Sequence, residues 1–163
     1  MTTVVERPRR FGFPNPVNEI AARVVAAGVV IECVVFLATR QTVVVGVIAY
    51  GFVARVLAGP RYSPLGLLAT RVVVPRLGVR PKLVPGPPKR FAQGIGATLS
   101  VAALLACLLG ATGLAMLLVA AIVVAATLES ALAFCLGCRI FAILMRAGII
   151  PTSVCEACNR VPA

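Results

Sequence analysis

Four of the six cysteines in this chain stand in two pairs of identical spacing near its C-terminal end. Cys135 and Cys138 enclose Leu-Gly, Cys155 and Cys158 enclose Glu-Ala, and both pairs fall within 24 residues. Residues three apart share one face of a helix, so the two sulfurs of such a pair can approach each other. The repeated spacing predicts thiol chemistry for at least one pair. The other two cysteines lie in apolar runs, where cysteine is usually a small packing residue.

Three kinds of site fit these cysteines. The first is a thiol–disulfide or sulfur-transfer site at Cys135 and Cys138, where the neighbouring Arg139 would attract anionic sulfur species. The second is a structural zinc or iron site held by all four cysteines, because Cys-x2-Cys-x16-Cys-x2-Cys matches the spacing of four-cysteine zinc sites. The third is a disulfide that ties down the tail. A non-catalytic membrane scaffold with incidental cysteines is a further alternative. Imidazole has no part in any of these, since the chain contains no histidine.

The reactivity of the first pair depends on how the helix before it ends. The apolar pattern runs on through Cys135 without a clear stop signal, which predicts a continuous helix through the pair. Such a helix would place the carbonyl-rich end near the sulfurs. A break at Gly137 would instead begin a new helix near Cys138 and present its free amides to a thiolate.

The composition is that of a chain whose natural solvent is lipid. Hydrophobic residues make up 60% of the 163 residues and charged residues only 13%, and the mean hydropathy is +1.02. The net charge of +11 comes from basic residues that flank long apolar runs. This pattern is typical of membrane topology signals and of contacts with anionic lipid head groups. It disfavours nucleic-acid binding, which needs a solvated basic patch.

The apolar runs predict an all-α membrane protein with four transmembrane helices, each able to cross the ~30 Å hydrocarbon layer. These spans are 17–38, 42–59, 91–111 and 114–134. Within the basic connection 59–90, Ser63 and Pro64 are good helix-start residues, and Pro75 ends the helical spacing. We expect a short amphipathic helix there, lying on the membrane surface. Span three carries a stripe of small residues for close helix packing: Gly96, Ser100, Ala103, Cys107 and Gly110.

The distribution of charge predicts the topology of these spans. Lysine and arginine are concentrated in the first 16 residues and in the connection 59–90, and cytoplasmic loops carry such an excess. Four crossings then place both termini in the cytoplasm of a multi-pass protein of the inner (plasma) membrane. The chain divides into a cytoplasmic N-terminal segment 1–16, a transmembrane domain 17–147 and a cysteine-containing cytoplasmic tail 148–163.

Five charged residues fall within or beside the spans, where charge is costly and needs a partner. Glu19 and Arg23 are four apart and are expected to pair on one helix face. Glu32 lies deeper and needs a partner or a water-filled crevice, while Arg55 is expected to meet Glu19 or Glu129, or to snorkel to the interface. Glu129 is a functional candidate, but its preferred interpretation is a structural pair with Arg55 or Arg23.

Several segments resemble a family of small bacterial integral membrane proteins of unknown function. They are FPNPVNEIAAR (13–23), RYSPLG (61–66), PGPPKRFAQGIG (85–96) and ESALAFCLGCRIFAILMRAGIIP (129–151). The composition is of the actinobacterial type, and the resemblance covers about residues 11–151, with PKRFAQ and CLGC as its most specific parts. Such proteins are often encoded beside thioredoxin-like proteins or rhodanese-type sulfurtransferases. The resemblance therefore implies a soluble partner in thiol or sulfur traffic and leaves the activity open.

Overall fold

The computed structural model describes residues 13–155 and 157–158. These residues form seven α-helices and one two-stranded antiparallel ladder, with short 3-10 turns and a π turn between them. The helices are α1 Glu19–Thr39, α2 Thr42–Ala58, α3 Pro64–Leu68, α4 Val74–Leu77, α5 Gly86–Leu108, α6 Thr112–Leu132 and α7 Leu136–Arg146. The ladder pairs β1 Val17–Asn18 with β2 Leu83–Val84. The 3-10 turns are Gly59–Arg61 and Thr152–Val154, and the π turn is Ala69–Val73.

Four helical stretches are long and apolar enough to cross a membrane, which confirms the prediction of a multi-pass helical membrane protein. They comprise α1, α5, α6 and a second stretch that contains α2 and continues through α4. Their mean hydropathies lie between 1.8 and 2.3. Large apolar side chains cover their outer surfaces, among them Val43 at 75% and Leu117 at 68% exposure. An exterior of that kind is stable in lipid, where apolar exposure has no hydration cost.

The four long helices pack as a closed ring in which each touches two neighbours. Helix α1 packs on α2 and α6, and α5 packs on the other side of the same two helices. Phe36 and Cys33 of α1, Ile48 of α2, Ala103 of α5 and Val119 of α6 are buried at the centre of the ring. The interior consists largely of alanine, valine and isoleucine, because close-packed helices leave little room for larger side chains.

The first part of the predicted stripe of small residues lies on the buried face of α5. Gly96, Ser100 and Ala103 are buried in α5, and a Cβ atom at Gly96 would collide with the ring of Phe52 on α2. This close approach explains why glycine occupies the position. The stripe does not extend to Gly110, which lies beyond the end of α5 in the turn to α6, with φ of +76°.

The connection after α2 begins as predicted and ends later than predicted. The Ser63 side chain accepts a hydrogen bond from the Gly66 N–H at 3.3 Å, and Pro64 occupies the first turn of α3. Pro75, however, does not end the helical path, which reaches Leu77 and stops where Gly78 adopts φ of +61°. Pro75 falls in the first turn of α4, directly after the π turn, and proline is tolerated there because its missing amide hydrogen is not needed.

The connections that carry most of the basic residues lie at one end of the ring, here named the basic end, and Arg40 lies at the other end. The basic end comprises the N-termini of α1 and α5, the C-termini of α2 and α6, and the chain from 59 to 85. The β1–β2 ladder and a hydrogen bond from the Glu19 N–H to the Lys82 carbonyl (2.8 Å) join the chain before α1 to the chain before α5. The turns at 40–41 and 109–111 lie at the opposite end. The arrangement matches the asymmetry of charge in the sequence.

Candidate thiol site at the basic end

The chain breaks its helix before the first cysteine pair. Ala133 takes the left-handed conformation with φ of +54°, and its N–H and that of Phe134 both donate to the Leu128 carbonyl. This closes the C-terminus of α6 in the manner of a Schellman motif. Cys135 is extended, and α7 begins at Leu136. The predicted continuous helix is therefore wrong: a new helix does begin at the pair, and the break precedes Gly137.

Cys135 is the N-terminal cap of α7. Its Sγ accepts a hydrogen bond from the Cys138 N–H at 3.3 Å, and its carbonyl accepts one from the Arg139 N–H at 3.1 Å. The two cysteines form a disulfide with a Cα–Cα distance of 5.2 Å, and both residues are half-buried. The free amides of a helix N-terminus stabilise negative charge, so that a reduced Cys135 sits where a thiolate is favoured.

Gly137 fixes the position of α7 against α5. A Cβ atom at Gly137 would lie 2.6 Å from both Cα and Cβ of Ala92, a distance that no side chain tolerates without a shift. One turn further along, Phe141 is buried, and its ring centre lies 5.6 Å from that of Phe91 on α5. Glycine between the cysteines thus serves close helix packing and holds the disulfide beside the first turns of α5.

Two cavities meet at Cys135. The outer one, of about 270 Å³, is lined by both cysteines together with Glu19, Lys89 and Arg139. The Arg139 guanidinium lies over the Phe134 ring at 5.4 Å, at the edge of this cavity. The inner cavity, of about 90 Å³, lies within the bundle and is mostly apolar. Gln93 and Glu129 are its other polar lining residues.

An ion pair lies between α5 and α6 beside these cavities. Lys89 Nζ donates to Glu129 Oε1 at 2.7 Å, and the two side chains are only 8% and 14% exposed. The predicted pairing of Glu129 with Arg55 or Arg23 is wrong as a direct contact. The reason is that α5 begins at Gly86, five residues before the predicted Phe91, so that Lys89 enters the bundle with the first turn. The Gly-Pro-Pro sequence could have signalled this start, since proline favours the first helical turn.

Glu19 and Arg23 do not pair with each other, contrary to prediction. Glu19 forms an ion pair with Lys82 at 2.7 Å. Arg23 donates instead to the Ser130 carbonyl through Nε and Nη2 at 3.0 and 2.9 Å, and to the Ala131 carbonyl at 3.3 Å. These carbonyls end α6 and lack helical partners, so a cation there is favoured over the helix-surface pair.

Arg55 is buried at 5% exposure and has neutral contact partners. Its Nε donates to Gln93 Oε1 at 2.8 Å, its Nη1 donates to Ser63 Oγ at 2.9 Å, and its guanidinium lies 4.6 Å from the Phe52 ring centre. Glu32 and Glu129 are within electrostatic range without touching it. The expected direct contact with Glu19 or Glu129 is absent from the described chain, because each carboxylate has a lysine partner.

The two cysteine pairs remain separate. Cys155 and Cys158 form their own disulfide with a Cα–Cα distance of 5.3 Å. Within residues 13–155 and 157–158, no three of the side chains of cysteine, aspartate and glutamate come together in a way that could hold a metal ion. The donor set for the four-cysteine zinc or iron hypothesis is thus not assembled in this arrangement.

Four apolar helices form a closed ring, and Cys135 of the first cysteine pair caps α7 at the basic end of that ring. These features define the class: a multi-pass helical membrane protein with a candidate thiol site. The chain belongs to the family described as Domain of unknown function (DUF4395), whose model matches residues 17–146. The matched region includes Cys135 and Cys138 and ends before Cys155. Searches of curated proteins and of solved structures found no match. The family membership agrees with the resemblance to a family of unknown function.

Proposed function

We propose that this protein exchanges thiols and disulfides, or transfers sulfur, with a soluble partner through Cys135 and Cys138. One observation carries the proposal: Cys135 caps the N-terminus of α7 within disulfide distance of Cys138 and lines an open cavity. Reactive cysteines are favoured at positions that are partly exposed, electropositive and close to helix amides. Arg139, which also lines that cavity and is exposed, provides positive charge, whereas the charge of Lys89 is offset by its ion pair with Glu129.

The exchange has two steps. The reduced Cys135 thiolate attacks one sulfur of a partner disulfide, which forms a mixed disulfide and releases the other partner sulfur as a thiolate that takes up a proton. Cys138 loses its proton and attacks Cys135 Sγ. The Cys135–Cys138 disulfide forms, and the second partner thiol leaves. The partner has gained two electrons and two protons, the protein has lost them, and the reverse sequence reduces the protein.

The proposed compartment is the cytoplasm. The positive-inside rule assigns the basic end, with its exposed arginines, to the cytoplasmic face of the plasma membrane. Both the segment before α1 and the chain after α7 then begin on that face. We also propose that the 64–77 segment lies along the membrane surface, since it follows α2 at the basic end and exposes Arg71 and Arg76.

The partner we propose is a thioredoxin-like or rhodanese-type soluble protein. Such a partner would have to present its reactive sulfur to the outer cavity. The partial exposure of the pair fits that requirement, because attack by a thiolate needs access to the disulfide sulfur. A cytoplasmic site would be kept reduced between turnovers by the thiol pools of that compartment.

The experiment is to trap mixed disulfides in intact cells. Cys138→Ser removes the resolving thiol, so that a mixed disulfide at Cys135 persists and migrates as a larger species on non-reducing gels. Cys135→Ser should trap far less, because it lacks the capping thiolate. Cys155→Ser with Cys158→Ser is the matched control and should behave as the parent protein. Equal trapping by all three variants, or none with Cys138→Ser, would contradict the proposed role.

A further inference from the structure

A third cavity lies at the basic end, on the far side of Lys89 from the cysteines. Its volume is about 230 Å³, and its walls come from the starts of α1 and α5, the end of α2 and the chain before β1. Most of the lining is apolar. Its polar residues are Arg55, Lys89, Gln93, Asn18 and Thr70. No aspartate or glutamate is among the described residues that line it.

The polar groups at this cavity have donors to spare. Gln93 Oε1 is occupied by the Arg55 Nε–H, and Asn18 Oδ1 is occupied by the Ile20 N–H. The side-chain NH₂ groups of Gln93 and Asn18 donate in none of the hydrogen bonds between described residues, so each is available as a donor. Nη2 of Arg55 takes part in none of the hydrogen bonds between described residues. A ligand entering this cavity would meet donors and positive charge.

Arg55 lacks an anion in contact, although it is buried. No carboxylate of the described residues lies within 4.0 Å of its guanidinium. Glu129 is bonded to Lys89, and Glu32 acts only at longer range. A buried charge is stable when it is both paired and hydrogen-bonded, and the guanidinium is shaped to bind two oxygens of an oxoanion.

We propose that this cavity binds a phosphate-type oxoanion at Arg55, with Gln93 and Asn18 as further donors. Two ligands would present such an oxoanion: the head group of an anionic phospholipid and free inorganic phosphate. The apolar walls formed by Phe13, Pro14 and Ala22 would contact the non-polar part of a lipid. In the described part of the chain, no cysteine lines this cavity. A failure to bind an oxoanion would therefore not affect the thiol proposal, and a failure of the thiol proposal would not affect this one.

The test measures binding to the purified full-length protein in a neutral detergent. Native mass spectrometry follows retention of phosphatidylglycerol against phosphatidylcholine, and calorimetric titration of delipidated protein follows inorganic phosphate. Retained phosphatidylglycerol without phosphate binding would assign a lipid head group, and phosphate binding would assign a free oxoanion. Arg55→Gln should lower the affinity about 10- to 100-fold, as expected when a charge-assisted hydrogen bond is lost.

Two further variants separate binding from folding. Ala22→Leu fills the cavity without touching the charge or hydrogen bonds of Arg55, and it should also abolish binding. Arg71→Gln removes an exposed arginine at the same end and should leave the affinity unchanged. The proposal would be overturned if neither phosphatidylglycerol nor inorganic phosphate bound. An equal loss of affinity in Arg71→Gln and Arg55→Gln would also overturn it. So would undiminished binding by Ala22→Leu.

Discussion

The Lys89 ammonium and the Glu129 carboxylate form a buried ion pair at 2.7 Å that joins the first turn of α5 to the last turn of α6. Each residue also lines a cavity that reaches Cys135, Lys89 on the outer side and Glu129 on the inner side. The pair therefore stabilises the helix contact beside which α7 docks. It links the packing of the membrane domain to the position of the thiol site.

Removal of one partner of this pair should destabilise the protein strongly. Either Lys89→Met or Glu129→Leu leaves an uncompensated buried charge, and the expected loss is about 3 kcal/mol in the free energy of unfolding. The double variant Lys89→Met/Glu129→Leu should recover much of that loss, because neither charge of the pair is left without its partner. Denaturant unfolding in detergent measures all of them in one double-mutant cycle. Strictly additive losses would show that the two side chains do not interact.

Gly137→Ala should displace α7 from α5. The added methyl would lie 2.6 Å from Ala92, and overpacking of this kind costs about 1–3 kcal/mol. Gly94→Ala is the matched control, since nothing lies within 4 Å of a Cβ at that position in α5, and it should be neutral or slightly stabilising. Thermal unfolding compares the two variants. Ala92→Gly combined with Gly137→Ala should recover only part of the loss, because the added methyl also lies 2.6 Å from the Cα of residue 92. Equal stability of Gly137→Ala and Gly94→Ala would argue against this contact.

Cys135 should be the more reactive thiol of the reduced pair. It faces the amides at the start of α7, whereas Cys138 lies within the first turn. Alkylation by iodoacetamide at neutral pH, followed by peptide mass spectrometry, should modify Cys135 several-fold faster. Arg139→Gln should slow that reaction because a cation is removed from the outer cavity, and Arg146→Gln at the far end of α7 should not. Faster labelling of Cys138 would contradict the capping argument.

The proposed topology predicts opposite labelling from the two sides of the membrane. After mild reduction, a membrane-impermeant maleimide should label Cys135 and Cys138 in inside-out vesicles and leave them unlabelled in intact spheroplasts. In a background without the paired cysteines, Gln41→Cys should show the reverse behaviour, because the turn at 40–41 lies at the other end of the bundle. Labelling of the native pair from outside would place the thiol chemistry in an oxidising compartment and overturn the cytoplasmic proposal.

The sequence by itself determined the number of spans and the asymmetry of charge. Apolar length is a local property, and a run such as 114–134 must be helical over most of its length in lipid because every backbone amide needs a partner. The Ser63–Pro64 helix start and the close packing at Gly96 were likewise predictable, since each depends on one residue type in one local conformation. The cysteine spacing identified the candidate pair for the same reason.

Only the tertiary structure decided which charges meet and where the cysteines point. Lys89 reaches Glu129 because α5 starts earlier than its apolar run, and Arg23 leaves Glu19 for the carbonyls that end α6. The residues of each pair are far apart in the chain, and each has several possible partners of opposite charge. The order of the charged residues in the sequence therefore does not show which acidic residue pairs with which basic one. The break at Ala133 is closed locally, but the position of the helix that follows it is non-local, because Gly137 of α7 packs on Ala92 of α5. That contact places the capped helix beside two cavities.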